Sequence, residues 1–468
     1  MNAGTYIGQR SRGWVRWLAT ASTAAVLTAV TVAAQAQWER TIADPLVANG
    51  ATSCQALVVD GSGNVDVLIN LAGATSAQNT FEVVQFNQAG VRQWAQLGPA
   101  NCFGQSLAIR PQGDIFVSAN STSPFPGETL LAHLASNGAY LFLRAYLDSK
   151  MPFNASSNFS GNNLAVDSSG NVSIAMTGLF VAFLPQVTDV QVAEVLKVNQ
   201  VGSPMWVGEY WGGTGTGATI SAMGTDSSGD VLFEGTLQNS TEITGMFAAG
   251  NGSLVWLRQF KVPGQSFGDG RSITVDANSK LAYTVGSTTN GAETAVGTTL
   301  QKFDTNGDVL EQRVLANGSF TDSTYTQIAF GASDTIWIGG VSNLRPGVAQ
   351  FDANDNFAWI SQYAVPASFP QTTGVEQLVV TKSGNSIFKG SMTGTGTNAT
   401  SYMFLIKVGP TGARLSANFL KAPPGFFLGA SGGGGLASDI SGHEDFATNE
   451  ENMSGLQSTE RGMVGQYP

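Results

Sequence analysis

The chain has 468 residues, only 12% of them charged, with 57 glycines, 16 prolines and a formal net charge of −11. Apolar content carried by Val, Ile, Leu and Phe among so many turn formers describes an all-β protein and excludes a helix-rich one. An acidic chain without a cluster of Lys and Arg also excludes nucleic acid as a partner.

From the N-terminus, Arg10, Arg12 and Arg16 form a basic start, Trp17 to Ala33 a mostly apolar stretch, and Ala34-Gln35-Ala36 a small-residue cleavage site. This is the layout of a secretory signal over residues 1–36, cut before Gln37. Thr20, Ser22, Thr23, Thr28 and Thr31 make the stretch too polar for a permanent span of about 20 residues. Cleavage removes three arginines and no acids, taking the net charge from −11 to −14. The mature protein is expected to be secreted or periplasmic, without a membrane span, and a monomer.

Beyond the signal one pattern recurs seven times, an apolar strand, a polar tight turn and a second apolar strand. Its clearest copies are Leu57-Val58-Val59-Asp60-Gly61-Ser62-Gly63-Asn64-Val65 and Leu164-Ala165-Val166-Asp167-Ser168-Ser169-Gly170-Asn171-Val172. The turn positions fall at 63, 113, 170, 229, 279, 334 and 384, the last copies being decayed, with Gly331 and Thr381 where the others carry Asp. A second half follows each copy: an apolar strand, a Gly or Asn turn, and a strand that usually opens on Trp, as in Val195 to Gly202 before Trp206. Four strands per unit at this period are the mark of propeller blades, whose inner strands are buried on both faces and read as continuous apolar runs such as Ile336-Trp337-Ile338. The fold expected over residues 37–422 is a seven-bladed β-propeller of four-stranded antiparallel blades.

Asp167-Ser168-Ser169-Gly170-Asn171 with Lys197, Gly202 and Trp206 resembles the repeat of the bacterial seven-bladed β-propeller (SBBP-type) family. The resemblance covers about residues 38 to 420 and implies architecture and export more than any activity. Trp38 to Ile42 reads as an extra copy of the Trp strand, expected to dock on the last blade and hide its edge. After Pro423-Pro424, the tract Ser431 to Gly435 and the acidic residues beyond it are expected to form a flexible tail over 423–468.

In such blades the turns between strands one and two and between three and four share one face. The other face carries long, unequal connections, among them Leu147 to Asn163, Thr177 to Gln191 and Trp211 to Ser221. Variable loops on a rigid scaffold usually carry binding residues. The ligand-binding candidates are therefore Phe153, Phe159, Phe180, Phe183, Tyr210 and Trp211, facing a protein or glycan ligand. Cys54 and Cys102 are expected in blade-entry loops just before the first strands of neighbouring blades one and two, on the same face, and are candidates for a disulfide in an oxidising compartment.

Asp60, Asp167, Asp226 and Asp276 close the innermost strands, where they either hold a cation or bond their own turns, the latter being the stronger expectation. No metal or cofactor is expected: Asp304 to Asp308 and Asp352 to Asn356 lack the distal Glu of a calcium loop. With His133 and His443 the only histidines, a His-based catalytic triad is not expected. A quinone-dependent dehydrogenase is ranked last, for want of a regular Trp docking motif at the blade junctions. The leading function is a non-enzymatic binding or interaction module. The alternatives are a polysaccharide hydrolase or lyase working through loop carboxylates, and a structural cell-surface protein attached by its tail.

Overall fold

Thirty-three strands assemble into eight separate antiparallel sheets in the computed structural model. It describes residues 38–42 and 51–467, except 74–77, 122–128, 147–163, 184–186, 213–216, 239–240, 261–266, 277–280, 290–294, 316–322, 332–333, 365–370, 394–400, 422–425, 429–434, 440–442 and 453–458. Blade 1 is typical, running outward in sequence order through Ala51–Val59, Val65–Ala72, Thr80–Phe86 and Arg92–Leu97. The first strands of the next six blades are Cys102–Ile109, Leu164–Val166, Ala218–Thr225, Phe267–Val275, Ser323–Phe330 and Gln371–Val380. First strands of neighbouring blades touch all the way around the ring, so they line the axis.

The fold is thus a β-propeller, as expected, but with eight blades and not seven. The eighth is assembled from both ends of the chain. Leu436–Ser438, Glu444–Asn452 and Thr459–Tyr467 supply its first three strands, Phe426–Leu428 pairs with the second, and Trp38–Ile42 pairs with the third as the outermost strand. The N-terminal strand does dock on the last blade, but that blade is made of the residues expected to be a tail. The physical reason is a hidden repeat. Leu436-Ala437-Ser438-Asp439-Ile440-Ser441-Gly442-His443 is another copy of the strand-turn pattern. Asp439 accepts from the His443 amide at 2.9 Å, as Asp60 accepts from the Asn64 amide at 2.8 Å.

Each sheet buries both faces against its neighbours, and one apolar cluster fills each of the eight junctions. A clasp runs along the outer side of the ring. The outer-strand tryptophan of one blade donates its Nε1–H to a carbonyl in the third hairpin turn of the next: Trp38 to Gln88 at 3.0 Å, Trp94 to Ser136 at 3.0 Å, Trp206 to Ala249 at 2.7 Å, Trp256 to Thr305 at 3.2 Å and Trp359 to Pro410 at 3.0 Å. The ring lies flat under the turn glycine. Gly90, at φ 69°, must be glycine twice over, because the left-handed backbone disfavours a side chain and a Cβ would collide with Trp38. A Trp docking motif, not expected from the sequence, therefore joins five of the junctions. Phe142 takes the place at the junction of blades 2 and 3, where Arg144 and Tyr146 reach the Gly202 carbonyl at 2.9 and 2.7 Å.

Two outcomes check the closure. Deleting residues 424–468 is expected to abolish cooperative unfolding, because it removes four strands of a blade and exposes two junctions; a flexible tail would leave the transition intact. Trp38→Ala is expected to cost about 3–5 kcal/mol, read from the denaturation midpoint.

Candidate functional site at the propeller axis

Two rings of side chains stand around the axis. The first is the ring of tight turns, and it is spent on structure. Asp60 accepts from the amides of Ser62 and Asn64, both at 2.8 Å, and from Asn64 Nδ2 at 2.7 Å. Asp167 and Asp226 repeat the amide contacts. Asp167 also pairs with the buried Lys197 at 2.8 Å, and that ammonium donates to the Gly229 carbonyl of blade 4 at 2.6 Å. The Lys197 hydrogen bond and the Asn171 contacts hold the Asp167 carboxyl below its ordinary value although burial pushes the other way. These carboxylates bond their own turns, in keeping with the stronger expectation. Among the described residues no three metal-ligating side chains converge.

The second ring comes from β-bulges. In six of the blades the first strand slips register against the second, leaving Gln55, Gln105, Ser221, Arg271, Thr326 and Glu376 as extra residues, and the strand of blade 7 slips a second time at Thr373. A bulge leaves its residue out of the ladder and re-aims it. One edge of a first strand carries the second strand and its faces are covered by the flanking blades, so accessibility in mid-strand opens on the axis. All six residues are half-buried or exposed. Neighbouring blades pin the bulges: Asn70 exchanges two hydrogen bonds with the Gly104 backbone at 2.7 and 3.0 Å, and Thr236 accepts from the Gly270 amide at 3.1 Å. Glu376 lies 3.4 Å from the buried ammonium of Lys389, which donates to the Ala447 carbonyl of blade 8 at 3.0 Å. The ring thus presents amides, hydroxyls, one guanidinium and one carboxylate on a fixed scaffold. Periodicity did not reveal these six residues, because a bulge shifts the pattern by one position inside an otherwise regular strand.

The candidates read from the sequence fare differently. Phe153 and Phe159 lie outside the described residues. Phe180 and Phe183 belong to a strand, not a loop: Val172–Phe183 pairs with Val187–Val198 along its whole length, so the expected loop from Thr177 to Gln191 is mostly a long hairpin. Tyr210 packs against the junction of blades 3 and 4, and its hydroxyl accepts from Gln259 at 3.1 Å. Trp211 is exposed, its indole N–H 3.4 Å from Glu209. Of the six, only Tyr210 and Trp211 have side chains among those the structure describes.

The disulfide is corrected as well, since Cys54 and Cys102 are buried and not bridged to each other. Cys54 packs in the junction of blades 8 and 1, and Cys102 in the junction of blades 1 and 2. The sheet of blade 1 stands between them. His133 is stacked on Phe116 with ring centroids 4.0 Å apart, and burial lowers its pKa despite Asp114 at 3.5 Å. His443, expected in the tail, sits in the turn of blade 8 with Nδ1 2.7 Å from the buried Asp439. The two carboxyl groups that do come together, Glu234 and Glu242, are sealed from solvent, with relative exposures of 0% and 1%. No glycosidic bond can reach them.

No family model matches the chain, and no curated protein matches it either. Solved structures share its general form at low similarity. One titled the Dos1 propeller is 10% identical over 89% of this chain and 93% of its own, with a TM-score of 0.48. A protein of unknown function from Bacteroides caccae is 12% identical over 68% and 94%, TM-score 0.34. Prolyl oligopeptidase B from Galerina marginata is 9% identical over 95% of this chain and 61% of that one, TM-score 0.44. Likeness at this level bears on fold alone, and these proteins lend the chain no activity.

The third strand of each blade carries a penultimate residue facing its partners across the sheet. In blades 1 and 8 the set is the same: Gln85 donates to Asp66 at 2.9 Å beside Trp94, and Gln466 donates to Asp445 at 2.8 Å beside Trp38. Burial pushes Asp66 up to about 8 and Asp445 up to about 7, against the lowering effect of each glutamine. A carboxyl raised in the folded state contributes stability that is full below its ordinary value and lost as pH rises through the folded one. Stability is therefore expected to fall as pH rises from about 4 through about 8, by several kcal/mol. The double variant Asp66→Asn, Asp445→Asn should flatten that slope in calorimetric scans, and an unchanged slope would show that these two groups do not set it.

Proposed function

We propose that the chain is an exported, non-catalytic binding module whose ligand engages the axial ring of Gln55, Gln105, Ser221, Arg271, Thr326 and Glu376. The observation that carries this reading is the set of six bulges. Each sacrifices a ladder position on an innermost strand to present an accessible polar side chain at the axis. By contrast, Asp60, Asp167 and Asp226 are tied into their turns, and His133, Glu234 and Glu242 are buried within or between blades. The resemblance to the bacterial propeller-repeat family and the signal-like residues 1–36 support export, to the periplasm or the medium. Cleavage before Gln37 leaves Trp38, the closing residue of the ring, next to the new N-terminus.

The outer-strand tryptophans argue against a quinone cofactor stacked at the axis, because they lie on the far side of each blade and are committed to the clasp. Attachment through a C-terminal tail is disfavoured in turn, since those residues complete the ring.

The test is a glycan and peptide screen with residues 37–468, followed by variants. Gln55→Ala combined with Gln105→Ala is expected to weaken binding about tenfold, the worth of one or two hydrogen bonds. Trp211→Ala is expected to leave affinity unchanged. The reverse result would move the site to the long-loop face, and no binding to either library would remove the reading.

A further inference from the structure

The junction between blades 4 and 5 is closed by only five buried apolar residues, Leu232, Met246, Trp256, Ala282 and Phe303, and its middle is polar. Glu234 stands on the second strand of blade 4 (Val231–Leu237) and Glu242 on the third (Thr241–Phe247). Glu234 is opposite Thr244, two residues from Glu242, so the two carboxyl groups share one face of the sheet on a diagonal. Blade 5 faces them with Thr284, Thr299 and Gln301, all buried. On the first strand of blade 5 only glycine fits at 270, because a Cβ there would collide with Glu234 Oε1.

The hydrogen bonds divide unequally. Thr299 Oγ1 donates to Glu242 Oε2 at 2.8 Å and Gln301 Nε2 donates to Glu242 Oε1 at 2.7 Å. Glu234 receives Thr244 Oγ1 at 2.5 Å, on Oε2. Two carboxylates side by side in a sealed junction cannot both be ionised, and the better-supplied one keeps the charge. Glu242 is that one, and Glu234 carries the proton.

We propose that Glu234 and Glu242 share a single proton that holds blades 4 and 5 together, and that losing it at alkaline pH loosens this junction ahead of the rest of the ring. Burial first, and then the charge of Glu242, hold Glu234 well above the ordinary glutamate range. After burial, the groups acting most on Glu234 are Glu242, Thr244 and Thr284. Of the charged residues on the surrounding strands, Arg258 of the outer strand of blade 4 lies opposite Thr244 and reaches Asp308 at 3.8 Å, and Arg271 follows Gly270 as the exposed bulge residue. The sign follows from the raised carboxyl: the stabilisation is full below the ordinary glutamate value and is lost as pH rises through the folded one. The inference does not depend on any ligand, although the loosened seam includes the Arg271 bulge of the axial ring.

Amide hydrogen exchange of the full mature chain, followed over rising alkaline pH and corrected for the intrinsic acceleration of exchange, reads the junction directly. Protection of peptides covering 231–247 and 267–275 is expected to fall relative to those of blade 6, by about tenfold for each pH unit once the proton is lost. Glu234→Gln supplies a permanent donor to Glu242 and is expected to hold that protection constant. Glu242→Gln, a second neutral isostere, is expected to do the same. If these strands keep step with blade 6 in the wild-type protein, or if both variants lose protection along the wild-type curve, the shared proton does not control the junction.

Discussion

Closure is the constraint on which everything else depends. Sheets that bury both faces cannot stop at an end, because the first and last would each expose an apolar surface as large as any internal junction. The chain meets this by giving blade 8 its outer strand from Trp38–Ile42 and its other strands from residues after 425. The junction so formed is filled by an apolar cluster, as the internal ones are. Cys54, Val67, Val84, Ala447 and Val464 fill it, and Trp38 docks under Gly90 as Trp94 docks under Gly138. Ends far apart in sequence become neighbours, so closure rests on contacts of very large sequence separation.

The same repeat explains why polar side chains survive deep in the blades. The penultimate position of each third strand is flanked by the second strand on one side and the outer strand on the other. Gln85 and Gln466 meet an aspartate there, Lys197 reaches across to Asp167 and to the next blade, and Lys302 reaches Asp355 at 2.5 Å. Each polar head finds a partner, which is the condition for burying it. Where blade 5 carries Glu311 and blade 7 Ser416 in place of Trp, ion pairs and hydrogen bonds take over the clasp: Lys302 with Asp355, and Ser416 with Glu444 at 3.0 Å.

Much of this was legible in the sequence. The strand-turn repeat defined seven blades almost to the residue, the turn aspartates bond their own backbone as the turn chemistry requires, and Trp38 was recognisable as a displaced outer strand. The eighth blade was legible too, in Leu436 to His443, and was obscured by two features. Its own fourth strand is at the other end of the chain, and a glycine tract precedes it, which by composition reads as a linker. The disulfide failed because adjacency along the ring says nothing about which face of a strand a side chain takes. Cys54 and Cys102 look into successive junctions, with a sheet between them. The Trp clasp was missed because its partner is a backbone carbonyl in the next blade, which leaves no mark in composition.

The candidate site was the least legible, and the reason is physical. Repetition in the sequence reports what every blade must do to pack, whereas binding residues are those that packing leaves over. In this ring what is left over includes these six bulge residues, of a different type in nearly every blade: glutamine twice, then serine, arginine, threonine and glutamate. Had the bulges served packing alone, the same constraint would have selected similar side chains, as it did for the tryptophans and the turn glycines. Their diversity on a fixed backbone device is what a surface shaped for one asymmetric ligand requires, and it directs attention to the axis instead of the loops.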